Sequence, residues 1–100
     1  MALDRVTRLE ASLEAAQINL QSVGWSLKFN EGRQQEQLDV LEEYEQEHPE
    51  DEGSDHYKSL WREFCNRCCA VEANRRELKE LEDSIKMLEG MLEEEKSREG

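Results

Sequence analysis

The chain has 100 residues, 25 of them acidic and 13 basic, for a formal net charge of -12, with a mean hydropathy of -0.98. This allows one domain and little core, and it excludes the clustered Lys and Arg that phosphate backbones or anionic membrane surfaces require. There is no apolar run long enough for a membrane span and no signal peptide in Met1-Ala2-Leu3-Asp4-Arg5. Three closely spaced cysteines do not make a disulfide framework. The expected location is therefore intracellular, cytoplasmic or nuclear.

The first predicted element is a helix over about residues 3–45. A 3-4 repeat runs through Val6, Leu9, Leu13, Ala16, Leu20, Val23 and Leu27, then through Asn30, Gln34, Gln37, Leu41 and Tyr44. Thr7 and Glu10 have capping-box spacing. Gly24 and Gly32 each cost roughly 1 kcal/mol against alanine in a helix. The seam is polar from Asn30 to Gln37, where Glu31, Gln34, Leu38 and Leu41 offer an alternative run.

The break is predicted over about residues 46–55. Pro49 cannot continue a helix interior, Gly53 and the acids suit a solvated turn, and Ser54 or Asp55 can cap the second helix. The acids of this turn lack the spacing of a calcium-binding loop.

The second predicted helix covers about residues 56–96. Its repeat is Tyr57, Leu60, Phe64, Arg67, Val71, Asn74, Leu78, Leu81, Ile85, Leu88, Leu92 and Glu95. Folding the chain at its midpoint brings the two repeats together at positions whose numbers sum to 101: Tyr44 with Tyr57, Leu41 with Leu60, Leu20 with Leu81, Leu13 with Leu88, Leu9 with Leu92. Asn30, Gln34 and Gln37 then fall opposite Val71, Arg67 and Phe64, and Asn74 opposite Leu27. Both arms have roughly 40 residues, hence about 60 Å each. The expected fold is all-α: one antiparallel two-helix coiled-coil hairpin, associating into a dimeric four-helix bundle. Its seam is Leu9, Leu13, Leu20, Val23, Leu41, Leu60, Leu78, Leu81, Ile85, Leu88 and Leu92. Residues 93–100 read as a solvated tail.

A second stripe must meet something else: it shields the hairpin's own edges or, the reading favoured here, packs against a partner. Ala11, Ala15, Ile18, Ser22, Trp25 and Phe29 follow 4-3-4-3-4 spacing on a separate face of the first helix. Trp61, Cys65, Cys68 and Cys69, with Met87 and Met91, supply a counterpart on the second. The expected partner interface is Ala11, Ala15, Ile18, Trp25, Phe29, Trp61, Cys65 and Cys68, and the expected partner is a protein: a second copy, helical subunits of a complex, or both. Neither nucleic acid nor membrane insertion is expected.

The chemistry-bearing motifs are weak. Cys65-Asn66-Arg67-Cys68 is one C-x-x-C, whereas a structural zinc site needs about four ligands. A zinc-linked dimer through Cys65 and Cys68 stays as an alternative, as does a coiled-coil segment of a longer cytoskeletal, kinetochore or trafficking protein. The many glutamates have no predicted cleft in which to act as acid or base, so no enzyme and no cofactor are expected. The length and hairpin plan look like those of small helical subunits in kinetochore, tethering and centrosomal assemblies. This is likeness of plan only. The expected function is non-enzymatic: assembly or scaffolding through helix packing.

Overall fold

The computed structural model describes residues 4–99, and the helix start expected near Leu3 lies outside them. It is all-helical. Helix α1 spans Arg5–Glu47, a single 3-10 turn spans Pro49–Asp51, and helix α2 spans Asp55–Glu99. The two long helices pack against each other as a hairpin.

The capping chemistry differs from the Thr7–Glu10 box. The Thr7 amide donates to Asp4 Oδ1 at 2.7 Å, so Asp4 caps α1. Aspartate ranks above threonine at this position. The same bond holds the Asp4 carboxyl below its ordinary value. At the turn, the Tyr57 amide donates to Ser54 Oγ at 3.2 Å, and Ser54 is thereby the cap of α2. Gly53 has φ +90°, a left-handed conformation that costs other residues energy and glycine little.

The far end of α2 also runs longer than expected, to Glu99. Arg98 bridges Glu94 at 3.0 Å and Glu95 at 3.3 Å, one helical turn back. With Lys96 it places cations at the negative end of the helix dipole, which favours continued helix.

Packing divides the chain into two compact units. The terminal unit joins the segment ending at Gly24 to the segment beginning at Arg76; the turn unit is Trp25–Arg75. In the terminal unit Leu9, Val23 and Ile85 are buried. Val6, Leu13, Ala16 and Leu20 of α1 are half-buried, as are Leu78, Leu81, Leu88 and Leu92 of α2. Arg5 Nε sits 3.1 Å from Glu95 Oε1 across the pair.

In the turn unit Leu41 and Val71 are almost fully buried, at 1% and 2% exposure, and Leu60 is buried as well. The remaining half-buried positions are largely polar or aromatic: Asn30, Gln34, Gln37, Tyr44, Tyr57, Phe64, Arg67 and Asn74. Tyr44 and Tyr57 lie with ring centroids 6.3 Å apart.

Here the structure corrects the expected pairing of the polar residues. Asn30 does not simply face Val71. Its Nδ2 donates to Asn74 Oδ1 at 2.5 Å, so the two asparagines satisfy each other. The reason is the lean of helical side chains toward their own N-terminus. In an antiparallel pair these leans converge when the two residue numbers sum to slightly more than the backbone constant. Arg75 and Glu31, bonded at 3.2 Å, are displaced in the same direction and further, whereas the longer side chains of Gln37 and Glu63 bond at a sum just below the constant.

Candidate functional site

The site expected from sequence was the stripe left over once the seam is accounted for. Along α1, residues 3 or 4 apart share a face, and each residue advances the helix by about 100°. In the terminal unit Ala11, Ala15 and Ile18 therefore lie roughly half a turn from Leu9, Leu13 and Leu20, and in the turn unit Trp25 and Phe29 lie roughly half a turn from Leu27. Burial agrees with this geometry.

In the terminal unit Ala11, Ala15 and Ile18 are exposed, Ile18 at 59%. On α2 of this unit Met87 is exposed and Met91 half-buried. In the turn unit Trp25 is 81% exposed and Phe29 64%. The Arg33 guanidinium lies 5.8 Å from the centre of the Phe29 ring, within cation–π range. Val40 is also exposed.

Trp61 and the cysteines stand differently from Trp25. Trp61 makes edge-on contacts with Tyr57 at 6.4 Å and Phe64 at 6.0 Å between ring centres. It belongs to an aromatic row on its own helix and is less exposed than Trp25. Cys68 is half-buried and accepts a hydrogen bond from Gln34 Nε2 at 3.2 Å. Cys65 and Cys69 are exposed, and all three thiols are free. Among the described residues no group of three or more His, Cys, Asp or Glu side chains converges as a metal site. No helix of the described residues is long and apolar enough to cross a membrane.

The turn carries a second polar cluster. Tyr44 Oη donates to Asp51 Oδ2 at 2.5 Å, and Tyr57 Oη to Glu45 Oε1 at 2.6 Å. Each carboxylate acceptor raises the phenol's pKa above its ordinary value. Tyr44 also packs against His48 and His56, at 4.7 and 4.9 Å between ring centres. An open depression of about 400 Å³ lies beside it, lined by Glu45, His48, Pro49, Glu52 and Tyr57. The cluster's hydrogen bonds run from one part of the turn to another and account for its geometry as a closure of the hairpin.

Periodicity located the stripe on α1 but missed a second signal in the same segment. The chain has 25 acids, yet none occurs in the sixteen residues from Ala15 to Asn30. The only charge there is Lys28. Carboxylates are thus absent where Ile18, Trp25 and Phe29 stand exposed. A surface meant to stay in water has no reason to avoid them in so acidic a chain. One meant to be covered does, because a buried unpaired carboxylate is costly. Counting acids along the chain would have found this. No protein family, curated protein or solved structure matches the chain.

Proposed function

We propose that this protein is a non-enzymatic assembly subunit that acts by packing the outer face of α1 against another helix. The observation that carries this reading is the coincidence of Trp25, at 81% exposure, and Phe29, at 64%, with the acid-free segment. Two aromatic rings one helical turn apart are the usual anchors of helix-in-groove and helix–helix recognition. Among the described residues they are the two most exposed large hydrophobic side chains. Each ring covers roughly 150–250 Å² when fully buried.

The function is scaffolding within a helical complex, with α2 holding α1 in place through the seam. A four-helix assembly is the expected product. Its turnover of substrate is nil on this reading, and the glutamates serve as a solvated, charged surface.

Site-specific photocrosslinking in cells tests it. A benzoylphenylalanine is placed at Phe29 in one variant and at Asp83, on a charged and exposed part of α2, in another. The expected result is a covalent protein adduct from position 29 and none from position 83. No adduct from position 29, nor from a third variant labelled at Trp25, overturns the reading.

A further inference from the structure

We infer that the occupant of the α1 outer face in the turn unit is a cationic amphipathic helix of a different protein. Its apolar half sits on Trp25 and Phe29, and its lysines or arginines lie over Asp39 and Glu43. The inference rests on the helix-packing reading above and adds the partner's chemistry. It uses only residues 25–47 of α1, all within the turn unit.

Trp25, Phe29, Gly32, Glu36, Asp39 and Glu43 have spacing 4-3-4-3-4. At 100° per residue they fall in a band about 80° wide and about 27 Å long. All six are exposed. The band changes character at Gly32. Before it stand the two rings, and after it every position of the band is a carboxylate. From Gln34 to Tyr57 the chain has ten acids and no lysine or arginine.

These carboxylates are poorly compensated within the hairpin. Glu36 has Arg33 at 3.5 Å. Asp39 Oδ1 accepts only a neutral donor, Gln35 Nε2, at 3.0 Å. Among the described residues Asp39, Glu43 and Glu47 take part in no ion pair. The three stand at successive i,i+4 steps, a spacing at which like charges destabilise a helix. Cations laid along the band relieve that repulsion. Over the rings they gain less, because Lys28 and Arg33 already flank them, with Arg33 5.8 Å from the centre of the Phe29 ring. The face thus has a polarity: apolar contact at one end, cations at the other.

Gly32 marks the boundary. Glycine weakens a helix relative to alanine, and a methyl group placed there would touch nothing within 4 Å. Packing inside the hairpin therefore does not require it. A helix laid along the band makes use of it, since the missing side chain lets a neighbour settle between Phe29 and Glu36.

A second copy of the chain fits this face badly. Parallel docking sets Glu36, Asp39 and Glu43 against themselves. Antiparallel docking along the band sets Trp25 against Glu36 or Glu43, and carboxylates buried under rings lose water without gaining a cation. Net charge -12 opposes either arrangement and attracts a cationic partner. At 81% and 64% exposure the two rings supply on the order of 300 Å². That is below one side of a standard interface, about 800 Å². Ion pairs must therefore contribute, and binding depends on salt.

Designed peptides of about 20 residues, roughly 30 Å as helices, test the inference. Two carry a leucine stripe over one half and lysines over the other, in opposite chain directions. A third is a scramble of the same composition, and a fourth has glutamate for lysine. Fluorescence anisotropy with the intact chain should show one lysine peptide binding with a dissociation constant on the order of 10 μM. Binding should weaken about 10-fold or more between about 50 and 300 mM salt. Glu36→Gln with Asp39→Asn and Glu43→Gln should weaken it about 10-fold or more, and Trp25→Ala with Phe29→Ala at least as much, with helical circular dichroism kept in both. Equal binding of the scramble or the glutamate peptide overturns the inference, as does no binding of either lysine peptide at about 1 mM. So does unchanged affinity in the acid-free variant. Photocrosslinking from position 29 separates this from the reading beneath it. Capture of a second copy, or of a segment without lysine or arginine, keeps helix packing and overturns the cationic partner.

Discussion

The terminal unit and the turn unit bring together the same two helices by different chemistry. The terminal unit is held by aliphatic side chains: Leu9, Val23 and Ile85 are buried, and leucines fill most of the remaining half-buried positions. The turn unit has fewer aliphatics but contains the two most deeply buried residues, Leu41 and Val71. Around them it spends seam positions on Asn30, Gln34 and Gln37, bonded to Asn74, Cys68 and Glu63 respectively. Leucine contacts are non-directional and tolerate several heights. Amide hydrogen bonds are directional and tolerate one. The contrast teaches that adhesion and alignment are divided between regions of a single hairpin, with the polar layers lowering stability in return for a defined register.

The strongest way to break this contrast is to remove the centre of the turn unit. Leu41→Ala should cost about 2–4 kcal/mol, since the site is closed on all sides and leaves a cavity. Leu88→Ala, from a half-buried position in the terminal unit, should cost about 1–2 kcal/mol, because less area is returned to water. Urea denaturation monitored by circular dichroism measures both. Equal losses would show that burial, and not only chemistry, is shared evenly between the units.

A smaller effect tests the polar layer. Asn30→Leu alone should cost on the order of 1 kcal/mol by leaving Asn74 without its partner. Adding Asn74→Leu should recover that loss, and the double variant should equal or exceed the parent in stability. A double-mutant cycle reads the coupling directly. Absent coupling would mean that water, not the asparagine pair, satisfies this layer.

The smallest effect concerns the start of α1. The Asp4 carboxyl is held below its ordinary value chiefly by the Thr7 amide. A lowered folded-state pKa stabilises the folded state above the ordinary aspartate range, and that contribution is lost as pH falls through the folded-state value. Exchange of the Thr7 amide, measured by NMR, should therefore lose protection on acidification below about pH 4, and Asp4→Asn should weaken this dependence. An unchanged pH profile in that variant would assign the protection to something other than the cap.

Much of the fold was legible because helix periodicity is local. A 3-4 repeat, a proline and a glycine turn are each read within a few residues, and they locate two helices and the break between them. The cap of α1 was less legible, since Asp4, Thr7 and Glu10 all have capping chemistry and only the path of the backbone selects among them. The candidate surface was partly legible: spacing picked out Ala11 to Phe29, while the missing acids between Glu14 and Glu31 required a count that periodicity does not make. Trp25 and Trp61 were not separable from sequence. Both are tryptophans on helical stripes with an aromatic residue one turn away, and only the structure shows that Trp25 is 81% exposed and Trp61 40%.

By itself, the sequence determined that two helices form, where the chain turns, and which faces are apolar, because these depend on spacing along one stretch of backbone. Only the tertiary structure decided that Asn30 meets Asn74, that Gln34 meets Cys68, and that Trp25 and Phe29 keep most of their surface in water. Those outcomes depend on how side chains lean between two antiparallel helices and on what lies beside each ring, and neither is a property of spacing alone.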